Sequence, residues 1–187
     1  PVELELKYKV LDLVAGRRLL ASPTLGSLSA TGAPRTTQHE DHYVDTTDGA
    51  LVRAGFAARL RQAGGATVIS VKSLSGSDGA LHRREELEGP ADRSLQPGDW
   101  PSSSARALVM EHCGDAPLVE LVTIRQLRHK RRFGVDGTDV ELSLDEADVV
   151  ARGRIVDHFT ELEIELVAGD PAPLQALAGV LAEEPGL

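Results

Sequence analysis

Five segments of this 187-residue chain carry charged side chains at every second position: Glu3/Glu5/Lys7, Arg59/Arg61, Arg84/Glu86/Glu88, Arg128/Lys130/Arg132 and Glu161/Glu163/Glu165. Successive side chains of a β-strand point to opposite faces, so each segment puts its charges on one face and its apolar alternates on the other. One such strand is ordinarily the solvated side of a sheet. Five of them, some basic and some acidic, fit a different arrangement. If the charged faces turn into one closed barrel, basic strands oppose acidic strands across a polar lumen, and the apolar alternates face outward under helices and loops.

The remaining pattern supports a mainly β (α+β) fold, an antiparallel eight-stranded tunnel-like barrel with a few flanking helices. Strands are expected over Val2–Val10, Thr36–Thr46, Phe56–Ala63, Ala66–Ser73, Leu81–Glu88, Leu118–Val135, Val140–Leu144, Arg154–Val156 and Phe159–Val167. Gly64-Gly65 reads as a tight hairpin, and Gly137 as a turn. Short helices are expected over Leu11–Ala21, Ala105–Cys113 and roughly Pro173–Glu184, with Ser22–Pro34 and Gly89–Ser104 as Gly/Pro/Ser-rich connections. No regular strand-helix-strand rhythm points to an α/β fold. The whole of residues 1–187 is expected to form a single domain.

Composition narrows the function. A formal net charge of −9 opposes a general nucleic-acid surface, since phosphate backbones are held by net positive faces. Basic residues are nevertheless dense from Arg59 to Lys72, at Arg83-Arg84 and from Arg125 to Arg132, which places any phosphate site in an enclosed patch. The lone Cys113 cannot form an intramolecular disulfide, which fits a buried thiol and a reducing compartment. No apolar run reaches the roughly 20 residues of a membrane helix, so a soluble, cytoplasmic protein is expected. Pro1 already stands in a strand-like pattern and the chain stops at Glu184-Pro185-Gly186-Leu187, which suggests an excised domain or a processed end.

Taken in order, these residues resemble the CYTH superfamily, the triphosphate tunnel metalloenzymes. Glu3-Leu4-Glu5-Leu6-Lys7 matches its Glu-x-Glu-x-Lys first strand, and Tyr43-Val44-Asp45-Thr46 is similar to its second. Arg59-Leu60-Arg61 and Lys72 match the next two, and Arg84-Glu85-Glu86-Leu87-Glu88 the Arg-x-Glu-x-Glu strand. Arg128 fits the long basic strand, and Glu161-Leu162-Glu163-Ile164-Glu165 the closing acidic one. Within the basic strand, Arg125, Arg128, Lys130 and Arg132 offer competing registers, and Arg128 with Lys130 is preferred. The helix after the first strand and the long connection resemble bacterial members in which a CYTH domain precedes a CHAD domain.

The resemblance implies hydrolysis of inorganic triphosphate with Mg²⁺ or Mn²⁺, a triphosphate-containing small molecule as ligand, and a CHAD domain as a possible partner in the full-length protein. It leaves adenylate cyclase, thiamine triphosphatase and a non-catalytic polyphosphate- or nucleotide-binding module open. Arginine donates paired hydrogen bonds to phosphate oxygens and lysine supplies a compact charge, so Arg59, Arg61, Lys72, Arg84, Arg128 and Lys130 are the expected grip. Hard cations take carboxylate oxygens, which makes Glu3, Glu5, Asp145, Glu163 and Glu165 the expected metal ligands. Lys7, Glu86 and Glu88 are expected to place or activate the attacking water.

Other signals carry less. His39 and His42 face opposite sides of a strand and cannot share a transition metal; a solvent-facing strand start accounts for them. Gly76 and Gly79 lack a P-loop lysine. Ser102 to Ser104 read as a cap or linker. Trp100 and Phe133 are too isolated for stacking along a nucleic-acid strand.

Overall fold

The computed structural model describes residues 2–63 and 65–187; Pro1 and Gly64, and with them part of the expected hairpin, lie outside the described residues. The strands are β1 (Val2–Lys9), β2 (Thr24–Leu25), β3 (Leu28–Ala30), β4 (Arg35–Thr46), β5 (Phe56–Ala63) and β6 (Ala66–Ser73). They continue with β7 (Ser77–Asp78), β8 (Leu81–Ala91), β9 (Leu118–Val135), β10 (Thr138–Ala151) and β11 (Arg154–Ala168). The helices are α1 (Leu13–Ala21), α2 (Ala50–Arg53), α3 (Ser104–Cys113) and α4 (Ala172–Leu181). Among the described residues, eight strands close on themselves in the order β10-β11-β1-β8-β6-β5-β4-β9, with β9 pairing β10. Every pairing is antiparallel. This is the expected barrel, with β2, β3 and β7 added at its margins.

Two tight turns set the register of the long wall β9-β10-β11. Asp136 and Gly137 both have positive φ, as do Arg152 and Gly153, the conformation whose twist suits two-residue hairpins. The second turn joins a β10 that runs to Ala151 and an unbroken β11, where the sequence had suggested a strand ending at Leu144 and two shorter strands. Asp145 to Asp148 is too acidic to read as strand on propensity, but pairing on both edges holds it extended. The Ser22–Pro34 connection contains the small β2-β3 hairpin, and the four-residue α2 had no sequence signal long enough to find it. Asp45 fixes α2, its carboxylate accepting the backbone N–H groups of Leu51 at 2.9 Å and Val52 at 3.1 Å. Helix α3 starts where Ser103 Oγ accepts the Arg106 N–H at 3.0 Å.

The apolar alternates face outward. One cluster joins Leu6, Leu142, Leu144, Leu162 and Ile164 of the barrel to α1 and α4; the other joins Leu60, Ile69 and Val71 to α2 and α3, with Trp100 and Cys113 inside it. Burial pushes the Cys113 thiol up, the behaviour of an inert core cysteine. Leu142→Ala should therefore cost about 3 kcal/mol by cavity formation, whereas its inward neighbour Ser143→Ala should cost about 1 kcal/mol or less. Denaturant midpoints of the two variants check this inversion. Among the described residues, no helix is long and apolar enough to cross a membrane.

Candidate functional site

Because helices cover the outside, the inward side chains are left to face one another across a cavity of about 620 Å³. The alternation of each strand supplies its lining: Arg59 and Arg61 from β5, Lys72 from β6, Arg84, Glu86 and Glu88 from β8, Arg128 and Lys130 from β9, Glu163 and Glu165 from β11, Glu3 and Lys7 from β1. Thus the structure brings together every residue singled out from the sequence except Glu5 and Asp145, which are 3% and 2% exposed and lie behind the lining.

Those two carboxylates hold arginines. Arg84 Nη2 donates to Glu5 Oε1 at 2.5 Å. Arg128 Nε donates to Asp145 Oδ1 at 2.7 Å while its Nη2 donates to the second Asp145 oxygen and, at 2.8 Å, to Glu163 Oε2. Two further anchors had escaped the sequence reading. Asp41, 1% exposed, accepts Arg61 Nε at 2.5 Å, Arg61 Nη2 at 2.6 Å, Arg59 Nη1 at 3.3 Å and Gln126 Nε2 at 2.9 Å. Glu141 accepts Lys130 Nζ at 2.5 Å and Arg132 Nε at 3.0 Å. Both stand in the same period-two phase as the assigned residues, Asp41 two before Tyr43 and Glu141 four before Asp145, and that phase was the available signal.

His42 is a correction. It is 7% exposed rather than solvent-facing, with Nδ1 2.9 Å from Glu120 Oε2 and 3.0 Å from Thr123 Oγ1, and with Arg93 Nη1 donating to Nε2 at 2.9 Å. The segment after β8 brings Arg93 over the outer face of β4 and covers it. His39 lies on the opposite face, where burial and then the positive charges of Arg61 and Arg128 push its imidazole down. The two histidines share no site.

Charge is unevenly matched inside the cavity. Burial opposes ionisation of Glu163, but Arg128 and Lys7 outweigh it and hold the carboxyl well below its usual range. Burial likewise disfavours the Lys7 cation, and Glu163, Glu5 and Glu161 more than restore it, so Lys7 remains protonated. Glu161 is raised by burial despite Lys7, with Glu163 adding repulsion. Glu3 is raised by burial despite Lys72. Glu165 is raised by burial and by Glu3. Its cross-strand neighbours on either side are Glu5 and Glu141, and it makes no ion pair among the described residues.

Such crowding suits a divalent cation. Hard oxygen donors are present in excess on β1 and β11, and an added dication would relieve their mutual repulsion. Among the described residues, no three acidic, histidine or cysteine side chains already converge on one point. A cation would thus take a few carboxylates and complete its shell from water and ligand oxygens, the habit of Mg²⁺. On the basic side, Nε of Arg59 and Nε of Arg84 are shut off from solvent with no partner among the described residues.

A family model described as CYTH domain matches residues 2–184. Among solved structures, the chain is similar to the Hippeastrum protein HpAC1, described as an adenylyl cyclase candidate with a dominant triphosphatase activity, at 26% identity and a TM-score of 0.65; the match covers 98% of this chain and 88% of that one. An adenylate cyclase candidate from Bacillus halodurans matches at 15% identity and a TM-score of 0.59, covering 97% and 89%. The PH1012 protein of Pyrococcus horikoshii matches at 15% and 0.50, covering 96% and 88%.

Proposed function

We propose that this chain, which belongs to the CYTH domain family, binds a triphosphate in its tunnel and hydrolyses the terminal anhydride with Mg²⁺ or Mn²⁺, inorganic tripolyphosphate being the minimal substrate. The observation that carries this reading is the convergence of Arg59, Arg61, Lys72, Arg84, Arg128 and Lys130, from four strands, on one cavity. A multiply charged anion with closely spaced oxygens matches this wall of cations, and the grip is rigid because Asp41, Glu5 and Asp145 hold the guanidinium planes from behind. The dominant triphosphatase activity described for HpAC1 supports the same reaction class.

Glu3, Glu163 and Glu165 are the cavity-lining carboxylates in this proposal that would hold the metal, with Glu5 and Asp145 acting on it through the arginines they orient. A bound Mg²⁺ or Mn²⁺ would neutralise phosphoryl oxygens and make a bound water more acidic. In the hydrolysis, the water oxygen bonds to the terminal phosphorus, the bond to the bridging oxygen breaks, and pyrophosphate leaves with its charge held by the arginines. The water proton passes to a carboxylate or to solvent. Glu88 is exposed to the cavity without an ion pair among the described residues, and Glu86 is oriented by a 2.5 Å hydrogen bond from Ser70 Oγ. Lys7 is fully charged and serves as a clamp on Glu161 and Glu163 rather than as a base.

The test is a substrate panel with Mg²⁺, Mn²⁺ and chelator. Orthophosphate release from tripolyphosphate that stops with chelator is expected. Cyclic AMP from ATP would instead favour a cyclase, and tight binding without turnover would leave a binding module. Glu165→Gln should raise the half-saturating metal concentration at least roughly tenfold while folding is retained; an unchanged metal titration would remove Glu165 from the ligand set.

A further inference from the structure

One titratable group on the lumen side takes no part in the grip of arginines and lysines. On β4, Thr37 lies directly across from Arg128, His39 from Gln126 and Asp41 from Ile124, and those three β9 residues line the cavity. Opposed residues of an antiparallel pair share a face, so His39 is on the lumen side, one two-residue step along β4 from Asp41. Its Nε2 stands 2.9 Å from Thr37 Oγ1, a hydroxyl able to donate or to accept. The ring is half-buried, so solvent protons still reach it.

What His39 lacks is an anion. His42 lies 2.9 Å from Glu120 and 3.2 Å from Glu40, His158 lies 2.9 Å from Asp148, and His129 lies 3.5 Å from Glu146. Each of those rings has a carboxylate of the chain beside it when it becomes charged. His39 has no such ion pair among the described residues. The charged groups that face it are Arg61 from β5, Arg128 and Lys130 from β9, and Asp41 from its own strand. Asp41 is no free counter-ion, since it is 1% exposed and already accepts from Arg59, Arg61 and Gln126. Burial first, then Arg61 and Arg128, push the imidazole down, with Lys130 adding to them and Asp41 opposing.

We infer that His39 is a proton-linked member of the tunnel, neutral in the free chain and taking up a proton when a polyphosphate anion enters beside Arg61 and Arg128. This rests on the triphosphate reading above. An anion in the cavity supplies the counter-charge that the chain itself withholds, and it occupies the cations that oppose a further positive charge. The proton comes from solvent and no bond of the anion breaks. In the charged ring both nitrogens donate, Nε2 to Thr37 Oγ1, whose hydroxyl accepts in that state. His39 therefore acts on binding, tightening it as pH falls, and performs no step of the hydrolysis.

The ring resonances of the six histidines, followed by nuclear magnetic resonance against pH, read this directly, the His39 signal being the one lost in His39→Gln. In the free chain its midpoint should lie below the ordinary imidazole value of about 6.5. Inorganic tripolyphosphate, added with chelator so that metal-dependent turnover is absent, should raise that midpoint by about one pH unit or more. By linkage, the affinity of the wild type for tripolyphosphate relative to His39→Gln should grow roughly fivefold as pH falls from about 8 to about 5.5. The ratio cancels the titration of the anion and of the carboxylates common to both proteins, and matching denaturation midpoints show that the variant is folded. Tripolyphosphate that binds without moving the His39 midpoint, or an affinity ratio flat with pH, overturns the inference and leaves the triphosphate reading in place. A wild type that binds no tripolyphosphate at any pH defeats that reading, and the inference with it.

Discussion

Arg59→Ala should lower kcat/KM for tripolyphosphate by roughly 10² to 10³-fold, the loss typical of removing one positioned donor from a charge-stabilising site. The guanidinium is held by Asp41 and faces Glu86 at 3.7 Å, yet its Nε has no partner among the described residues. Its place in the cavity lining is why the loss should fall on substrate rather than on the fold. Asp41 keeps Arg61 and Gln126 when Arg59 is gone, so stability should change by about 1.5 kcal/mol, less than when Asp41 itself is neutralised. Steady-state kinetics and a denaturation curve on the same preparation separate the two effects. A variant as active as the wild type would remove Arg59 from the grip.

Asp41→Asn should act on both. Neutralising a carboxylate that is 1% exposed leaves Arg61 without its ion-pair partner and Arg59 with only Glu86 at 3.7 Å. Breaking a buried pair from one side costs about 3 kcal/mol. Activity should fall as well, because the two guanidinium planes lose the group that orients them. The pH dependence gives a sign. Burial alone would raise the Asp41 carboxyl, but Arg61 and Arg59 more than compensate and hold it below its ordinary value. A folded value below the unfolded one means that its stabilisation is complete above the unfolded carboxylate pKa of about 4 and fades as pH falls through the folded value. The stability gap between wild type and Asp41→Asn should therefore be widest near neutrality and narrow in acid. A gap that widened toward low pH would contradict the ion-pair account.

Much of this barrel was written in the chain as alternation. Glu3, Arg59, Arg84, Arg128 and Glu163 were legible as inward residues because each shares a strand with another charge two positions away, and a strand that hides apolar alternates under helices must turn those charges inward. The register of β9 was legible for the same reason: Arg128 and Lys130 line the cavity, while Arg125 is on the outer face pairing with Glu40. What period two could not convey was depth along the strand. Glu5 and Asp145 are in phase with the cavity, but arginines lie over them. Asp41 was hidden differently, since it follows His39 and Glu40 in a segment whose charges occupy both faces. His42 was misread because its cover comes from Arg93, a tertiary contact across 51 positions.

Closure of the barrel sets a further limit. Tyr43 and Phe159 are ordinary strand residues in the sequence, and only closure of the barrel shows that they face the lumen and not a core.

Diffraction from crystals soaked with Mn²⁺ and a non-hydrolysable imidotriphosphate tests the central claim most directly. Phosphate density should lie inside the barrel within hydrogen-bonding distance of Arg59 and Arg84, and an anomalous manganese peak should stand beside Glu3 or Glu165. An empty lumen with the anion or the metal bound on the outer surface would contradict it.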